Sequence, residues 1–344
     1  MPTVYFRDEP YECKDSESLL DAFLRQKVSI PHACETGVCS TCLMRCNHGD
    51  VGESAVKGLN KALVAQGYFL SCQCYPKEEL QVAQLDDFDL FGRARVVDKT
   101  MLSPMVCRLR LQSANPLYYR AGQYINLRNS DGIIRSYSLA SLPSQDDFLE
   151  IHVKRMPNGL LSNWIVDFIS EGDRVDFQGP NGLCFYDPDS PDARMLLAGT
   201  GAGLGPLAGI IRDALHSGHR GDIRLYHGEK DFPALYLHDY LTELQRRFDN
   251  FYYFPCLDTE RNRDQANVYY GQVLDVALSD LKDYQSVYLC GSPAMVEQGR
   301  KQASEGGIPL SDIHTYPFET RDLRSPENQS LAPRVDDRRV AGNS

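Results

Sequence analysis

The chain has 344 residues, which is too long for one compact core and predicts two or three domains. Its formal net charge of -11 argues against a nucleic-acid partner, because an acidic surface repels a phosphate backbone. The 11 cysteines are an odd number and follow no recognisable secretory leader, so we do not expect a disulfide scaffold.

The N-terminal residues are typical of a strand rather than of a targeting signal. The run MPTVYFRDEPYEC alternates as a strand does, so we expect neither a signal peptide nor a transit peptide. The longest uncharged run, MLLAGTGAGLGPLAGII, is too short and too rich in glycine to span a bilayer. We therefore predict a cytoplasmic protein that does not bind a membrane.

Residues 1–86 are predicted to form a small first domain. The strand-like run VYF begins it and a strand near LQVAQL closes it, with a helix between them that carries Leu19, Leu20, Phe23 and Leu24. After the helix, the runs PHACETGVCSTC and FLSCQC contain the spacing Cys-x4-Cys-x2-Cys, followed by another cysteine after 29 residues. This is the ligand spacing of a plant-type 2Fe-2S cluster, and it predicts the metal ligands Cys34, Cys39, Cys42 and Cys72.

The same cysteines could serve two purposes other than binding a cluster. Cys39 and Cys42 alone would suit structural zinc, but zinc sites usually use two short pairs of cysteines, which this spacing does not provide. Unligated thiols are the other alternative. We interpret the neighbouring Cys46 and Cys74 as bystanders. With the cluster spacing and the elements around it, the domain is predicted to be a ferredoxin-like fold of the β-grasp class.

The middle of the chain is predicted to form an antiparallel β-barrel. Residues 87–92, in the acidic stretch LDDFDLFG, are typical of a linker. Residues 93–190 then contain short alternating strands separated by Gly, Pro and Asn. These strands are ARVVDKT, VCRLRLQ, QYINLR, SYSLA, LEIHVKR and RVDFQGP.

Residues 191–318 change to an alternation of strands and helices, which predicts a doubly wound parallel sheet. The strands are MLLAG, IRLYHG, FYYFPCL and SVYLCG, and the helices lie around residues 206–216, 236–247, 272–281 and 294–305. Residues 319–344 have few apolar side chains and are predicted to be disordered. The fold class is therefore multidomain, with α+β and α/β parts.

A glycine-rich turn lies directly between the strand MLLA and a helical run. Glycines at such a turn let the backbone approach a diphosphate, which the N-terminus of the helix stabilises. A tight structural turn is the alternative, because the spacing is not the standard dinucleotide fingerprint. The candidate binding residues are Gly199, Thr200, Gly201, Ala202, Gly203, Leu204, Gly205 and Pro206.

Taken alone, the run RSYS at residues 135–138 would be an ordinary strand. Together with GTGAGLGP and the run CGSP at residues 290–293, however, it resembles the ferredoxin-NADP reductase superfamily. With the cysteine-containing domain in front, residues 1 to about 318 resemble the reductase components of bacterial multicomponent oxygenases.

The resemblance implies that the barrel holds a flavin. Arg135 would bind its phosphates, Tyr137 would lie against the isoalloxazine, and Ser138 would lie near the nitrogen that accepts hydride. FAD is favoured over FMN because Ser162 and its glycine turn match the FAD-using members. The remaining implied flavin contacts are Ser136, His152, Val153, Lys154, Gly159, Leu160, Leu161 and Ser162.

The resemblance also implies that the glycine turn binds a nicotinamide cofactor, with Cys290, Gly291, Ser292 and Pro293 near its ring. Phe318 would cover the flavin, so the implied catalytic residues are Ser138, Cys290 and Phe318. Tyr316 departs from the family, which usually has Glu or Asp before that aromatic residue. After the second strand of this domain, the carboxylates of Glu229 and Asp231 favour NADH over NADPH through ribose hydroxyls, although Lys230 between them weakens this preference.

The predicted function is electron transfer from NADH through FAD and a 2Fe-2S cluster to a protein acceptor. The sequence contains no His-His-carboxylate triad or paired Glu-x-x-His motif for activating oxygen, so the acceptor would be a separate oxygenase. A Rieske dioxygenase and a diiron monooxygenase remain open. The alternatives are a reductase for a non-oxygenase acceptor, such as a deoxysugar dehydratase, and a ferredoxin-like carrier with degenerate flavin domains.

Overall fold

The computed structural model describes residues 2–59, 61–84, 91–258, 267–278 and 284–318. Most of the predicted linker and the predicted disordered tail, residues 319–344, lie outside the described residues. Contacts divide the described chain into two units, residues 2–84 and residues 91–318. No helix in these described ranges has the length and apolar character needed to cross a membrane.

The first unit is a five-stranded mixed sheet with strand order β2-β1-β5-β3-β4. Strands β1 and β5 are parallel, and the other neighbours are antiparallel. This arrangement confirms the predicted β-grasp fold. Its strands are β1 (Thr3–Phe6), β2 (Glu9–Glu12), β3 (Leu43–His48), β4 (Tyr68–Leu70) and β5 (Leu80–Ala83), and its helices are α1 (Leu19–Arg25), α2 (Glu53–Val56) and α3 (Lys61–Ala65).

Helix α1 begins where the sequence supplies a cap. The hydroxyl of Ser18 accepts a hydrogen bond from the backbone N–H of Asp21 at 3.1 Å, which satisfies a donor that the first turn leaves unpaired. Of the predicted apolar residues, Leu19, Leu20 and Phe23 are fully buried, and Leu24 is only half-buried. Burial of this face holds α1 in the unit.

The predicted barrel is a six-stranded antiparallel sheet in the order β10-β7-β6-β11-β8-β9. A bridge between Leu139 and Ile151 connects the two edge strands, so the sheet closes on itself. Every predicted strand is present. The strands are β6 (Gly92–Met101), β7 (Val106–Ser113), β8 (Tyr124–Arg128), β9 (Ile134–Ser138), β10 (Leu149–Lys154) and β11 (Arg174–Asn181).

A helix, α4 (Leu160–Asp167), stands where the sequence suggested only a glycine turn. Its residues Leu161 and Ile165, one turn apart, are buried in the barrel core, which explains why the segment is helical. The ammonium group of Lys99 donates to the carbonyl oxygens of Val166 at 2.7 Å and Ile169 at 2.6 Å. A cation therefore satisfies carbonyl groups at the C-terminal end of the helix.

The nucleotide sheet is parallel throughout and has the order β15-β14-β13-β12-β16-β17. Its strands are β12 (Met195–Thr200), β13 (Ile223–Glu229), β14 (Phe251–Leu257), β15 (Tyr269–Tyr270), β16 (Ser286–Gly291) and β17 (Ile313–Pro317). Its helices are α5 (Leu204–His216), α6 (His238–Arg247), α7 (Val273–Ala277) and α8 (Pro293–Glu305). The end of the predicted helix at 272–281 lies outside the described residues.

Two apolar cores cover the two faces of this sheet. One contains Leu207 of α5 and Leu241 of α6, and the other contains Leu274 of α7 and Val296 of α8. The strand order reverses between β12 and β16, and in doubly wound sheets ligands bind outside the carboxyl ends of the strands at such a point.

The proposed domain boundaries remain predictions. Gly92, the last residue of the predicted linker, already belongs to β6. Cys184 and Tyr186, which follow β11 and fall within the proposed barrel domain, pack in the core that contains α5 and α6. The barrel and the nucleotide sheet therefore share buried side chains inside one unit.

Candidate cofactor sites

The cysteine loop of the first unit is held by the residue that follows Cys72. Gly37 has φ +84, and a Cβ there would lie 2.7 Å from Cγ of Gln73. The side-chain amide of Gln73 donates to the carbonyl oxygens of Glu35 at 3.4 Å and Cys72 at 3.1 Å. Glycine at position 37 thus lets the loop close on the segment that carries the fourth cysteine.

Three predicted ligands come from this loop, and backbone N–H groups already donate to the sulfur atoms of Cys34 and Cys39. The sulfur of Cys34 accepts backbone hydrogen bonds from Thr36 and Cys39, both at 3.4 Å. A side-chain hydrogen bond from the thiol of Cys39 lowers the pKa of Cys34, and the same contact raises the pKa of Cys39. Thiolates are the form that binds iron, so N–H groups aimed at sulfur suit a cluster ligand.

The four sulfur atoms are arranged as two pairs. Cys34 interacts with Cys39, and Cys42 interacts with Cys72, which comes from a 3-10 turn just after β4 rather than from a strand. Among the described residues, no group of three or more His, Cys, Asp or Glu side chains converges as a site for one metal ion. Two thiol pairs fit two irons better than one tetrahedral zinc. The residues present therefore fit a 2Fe-2S cluster.

The two bystander cysteines have other surroundings. Cys74 is fully buried, and burial raises its pKa to about 12. The thiol of Cys46 donates toward the carbonyl oxygens of His48 at 3.2 Å and Gly49 at 3.5 Å. Neither residue interacts with the two thiol pairs in the way that Cys72 does, which supports the choice of Cys72 as the fourth ligand.

In the barrel, a buried amide positions the strand that carries RSYS. Asn126 is fully buried on β8, and its side-chain oxygen accepts from the hydroxyl of Ser136 on β9 at 2.7 Å. Its side-chain nitrogen donates to Gln178 on β11 at 2.8 Å. One side chain thereby connects three neighbouring strands, and it orients β9 for the predicted flavin contacts.

The other residues of the RSYS run, Arg135, Tyr137 and Ser138, have different surroundings. A guanidinium nitrogen of Arg135 donates to the carbonyl oxygen of Ile134 at 2.6 Å. Tyr137 packs against the barrel core, and burial raises the pKa of its phenol. Ser138 is half-buried and lies opposite Tyr124 in the strand pairing.

The second predicted flavin segment, on β10, lies against the nucleotide turn. His152 is buried, and its Nε2 lies 3.1 Å from Oε1 of Glu150, while its Nδ1 is buried without a partner. A Cβ on Gly205 would lie 2.8 Å from that Nδ1, and a Cβ on Gly201 would lie 3.1 Å from Nζ of Lys154. The side chain of Val153 is buried in the barrel core, so only its backbone can contact a cofactor.

The third predicted flavin segment forms the first turn of α4. Gly159 is the residue before the helix, and a Cβ there would clash with the hydroxyl of Ser162. That hydroxyl accepts from the backbone N–H of Met156 at 3.3 Å. Leu161 is buried and Leu160 is half exposed, and no side chain caps the helix. A cap-free first turn beside a glycine fits the diphosphate of FAD.

The glycine turn closes tightly on β16. After β12, Gly201, Ala202 and Gly203 form a 3-10 turn, and α5 begins directly afterwards. A Cβ on Gly203 would clash with the carbonyl oxygen of Cys290, and a Cβ on Gly199 would lie 2.7 Å from Leu207. Small residues therefore let the turn pack under the CGSP segment, while Leu204 and Pro206 are buried behind it.

The CGSP segment meets the glycine turn through one hydrogen bond. The backbone N–H of Ser292 donates to Oγ1 of Thr200 at 3.3 Å. The hydroxyl of Ser292 also accepts from the N–H of Met295 at 3.4 Å and caps α8, which begins at Pro293. Gly291 has φ +138, and a Cβ there would clash with the Thr200 hydroxyl. The two predicted nucleotide segments therefore meet at the point where the strand order reverses.

One implied catalytic residue, Cys290, belongs to this segment, and another, Phe318, contacts it. Cys290 is fully buried, and burial together with the neighbouring thiol of Cys184 raises its pKa. Phe318 is half-buried, and its backbone N–H donates to the carbonyl oxygen of Gly291 at 2.7 Å. Tyr316 pairs with Cys290 across the strands, and its ring lies edge-on to Tyr124 at 5.7 Å.

Glu229 lies at the nucleotide turn, but its carboxylate is already engaged. Its Oε1 accepts from the backbone N–H of Gly201 at 2.8 Å. Beneath it, His227 is fully buried, with Nδ1 3.2 Å from the phenol oxygen of Tyr253. The pKa of His227 is lowered by burial, so the imidazole stays neutral. One oxygen of Glu229 is therefore occupied by the turn, and its ribose contact stays a prediction.

Sequence reasoning missed several residues that organise these sites. Asn126 and Lys99 belong to no motif, and they act through partners that are distant in sequence. The fixed spacing that identified the cysteines and glycines is absent for them, and only the folded sheet brings them to their partners.

Comparison with known families and proteins agrees with this geometry. Residues 6–77 match the 2Fe-2S iron-sulfur cluster binding domain, residues 93–186 match the oxidoreductase FAD-binding domain, and residues 196–301 match the oxidoreductase NAD-binding domain. The chain therefore has domains for the iron–sulfur cluster, FAD and the nicotinamide cofactor that the sequence predicted.

Similar proteins extend over nearly the whole chain. It is 31% identical to the phenol hydroxylase P5 protein of Acinetobacter pittii, over 89% of this chain and 91% of that protein. It is 28% identical to reductase component 2 of terephthalate 1,2-dioxygenase from Comamonas, over 92% and 96%. The crystal structure of the Amycolatopsis cytochrome P450 reductase GcoB superposes with a TM-score of 0.66 at 32% identity, covering 92% and 99%.

Proposed function

Because this chain belongs to the family of flavin- and iron–sulfur-containing reductase components of multicomponent oxygenases, we propose that it oxidises NADH and passes electrons singly to an oxygenase. The observation that carries the proposal is the presence, in one chain, of two thiol pairs for a cluster and a nucleotide turn. When bound, FAD accepts two electrons as hydride and releases them one at a time, and a 2Fe-2S cluster carries one.

The residues of the second unit have distinct proposed tasks. Arg135 and the first turn of α4 hold the phosphates of FAD, and Tyr137 and Ser138 face its ring. The turn from Gly199 to Pro206 receives the diphosphate of NADH, and the CGSP segment borders the nicotinamide. Phe318 covers the flavin. The carboxylate of Glu229 supports NADH, because it repels the 2′-phosphate of NADPH.

The acceptor is proposed to be an oxygenase component, either a Rieske dioxygenase or a diiron monooxygenase. The names of similar proteins refer to a phenol hydroxylase, a terephthalate dioxygenase and a cytochrome P450. These acceptors differ chemically, so similarity favours an oxygenase without selecting one. We propose the cytoplasm as the location, where NADH is available and thiols stay reduced.

Steady-state kinetics test the proposal. The purified protein is assayed with NADH or NADPH as donor and cytochrome c as acceptor, and then with purified oxygenase components. We expect rapid cytochrome c reduction, a kcat/KM at least tenfold higher for NADH, and substrate turnover by one class of oxygenase. An intact cluster without flavin and without NADH oxidation would instead support a simple electron carrier, and coupling only to a dehydratase would support the non-oxygenase alternative.

A further inference from the structure

Both backbone polar groups of Gly201 are held by side chains from β13 and the segment that follows it. The N–H donates to Oε1 of Glu229 at 2.8 Å, and the carbonyl oxygen accepts from the phenol of Tyr236 at 3.2 Å. Gly201 has φ +56, in the left-handed region that glycine adopts most readily. Two hydrogen bonds therefore fix the residue that starts the 3-10 turn.

The hydroxyl of Tyr236 is placed by close packing. Its side chain is only 3% exposed, and its ring lies edge-on to His152 at 5.5 Å and to His227 at 5.8 Å. Burial raises the pKa of Tyr236 well above its usual value, so the phenol remains a donor. The hydroxyl of Tyr236 thus contacts the turn at the residue where the turn starts.

We propose that Tyr236 is a positioning residue for the nicotinamide cofactor, whose hydroxyl acts with Glu229 to hold Gly201 in the conformation that receives the diphosphate. This inference rests on the proposed function, and it gives Tyr236 a role that acts only through the turn. A turn that is ordered in advance costs less to immobilise when the ligand binds. Loss of the hydroxyl therefore weakens cofactor binding and leaves hydride transfer nearly unchanged.

Tyr253, on β14, provides a matched control. It is 7% exposed, and its hydroxyl belongs to the same buried network. That hydroxyl lies 3.2 Å from Nδ1 of His227 and 3.4 Å from Nδ1 of His238, instead of contacting the backbone of Gly201. Replacing either tyrosine by phenylalanine removes one buried hydroxyl and keeps the ring, so the pair separates the turn contact from general packing.

The experiment compares the holoprotein with its Tyr236→Phe and Tyr253→Phe variants. Iron and flavin per chain and the thermal unfolding temperature are measured first. Calorimetry then gives the Kd for NAD+, and steady-state assays with ferricyanide give kcat and KM for NADH. For Tyr236→Phe we expect Kd and KM to rise about fivefold to tenfold, the effect of one lost hydrogen bond, with kcat within about twofold of wild type. For Tyr253→Phe we expect both binding constants to stay within about twofold of wild type.

Three results would overturn the inference. Equal binding constants in the two variants would remove any special role for the Gly201 contact. A fall in kcat at unchanged KM would place Tyr236 in the chemical step. A loss of flavin or of thermal stability that matches the loss of affinity would indicate a purely structural role. Failure of the wild-type protein to oxidise NADH would contradict the proposed function instead, so the two failures are distinguishable.

Discussion

Ser292 donates its backbone N–H to Oγ1 of Thr200 at 3.3 Å, and this hydrogen bond connects the ends of two adjacent parallel strands. Thr200 ends β12 and leads into the glycine turn, whereas Ser292 follows β16 and caps α8. The two segments are separated by 92 positions in the sequence. Their meeting point is the place at which the proposed nicotinamide site forms.

Replacement of Thr200 by valine removes the acceptor and keeps the shape of the side chain. We expect KM for NADH to rise about threefold to tenfold, the range for one hydrogen bond, and the flavin content to stay unchanged. Thr200→Ser retains the hydroxyl and is the control, with a KM near that of wild type. Ferricyanide reduction measures both. Equal KM values for the two variants would show that this hydrogen bond does not position the site.

Replacement of Cys72 by serine is expected to abolish the visible absorption of the cluster, because one of the two thiol pairs is lost. Cys74→Ala is the control, since Cys74 is fully buried and the charged neighbours that raise its pKa do not include the paired cysteines. Iron content and absorption spectra of the purified variants measure the effect. A stable cluster in Cys72→Ser together with loss of the cluster in Cys74→Ala would show that Cys74, and not Cys72, is the fourth ligand.

Replacement of Lys99 by methionine removes two hydrogen bonds to the C-terminal end of α4. We expect a loss of about 2 kcal/mol in the free energy of unfolding of the second unit, together with weaker FAD binding. Arg95→Met, an exposed site on the same strand, is the control. Urea unfolding followed by the single tryptophan, Trp164 in α4, gives the free energy, and flavin fluorescence gives the affinity. An unfolding curve like that of Arg95→Met would contradict the prediction.

The pKa of the buried carboxyl of Glu150 leads to a prediction of how protein stability depends on pH. Burial alone would raise its pKa, but hydrogen bonds and charges from His152 and Arg110 outweigh burial and lower it to about 2. Because the pKa of Glu150 is lower in the folded state, its ionised carboxylate stabilises the protein at pH values above 4.5, the pKa in the unfolded chain. This stabilisation is lost as the pH falls toward 2.

Between pH 6 and pH 3.5 we therefore expect the second unit to lose about 1.4 kcal/mol more stability in wild type than in Glu150→Gln. Urea unfolding of the apoprotein, followed by Trp164, measures the difference. Glu171→Gln, at an exposed carboxylate, controls for general effects of charge and should show the slope of wild type. An identical slope in Glu150→Gln and wild type would exclude this contribution.

The fold class and most elements were predictable because they depend on patterns that are local in sequence. Strands such as β7 show an alternation of apolar and polar residues, and the alternation of strands and helices from β12 onward is also visible in the sequence. Strand β17 and helix α4 were missed, and so were β3, β4, α2 and α3 in the first unit and the two-residue strand β15. Strand β17 is largely polar, and the eight residues of α4 after a glycine are too few to show a helical period.

The residues of the candidate sites were likewise predictable only where they follow a pattern that is local in sequence. Cysteine and glycine positions were found because a cluster and a diphosphate require fixed spacing in one loop or turn. The pairing of Cys42 with Cys72 and the contact of Tyr236 with Gly201 join segments far apart in sequence, and no local pattern encodes them. The engagement of Glu229 with Gly201 was also unforeseen, because its ribose role was predicted from position alone.

An anaerobic titration with NADH tests the central claim most directly. FAD takes up two electrons and the cluster one, so about 1.5 equivalents of NADH should bleach the flavin and cluster absorption of the purified protein completely. The same amount of NADPH should react far more slowly. Bleaching of the flavin alone at about one equivalent, or no response of either chromophore to NADH, would contradict the account.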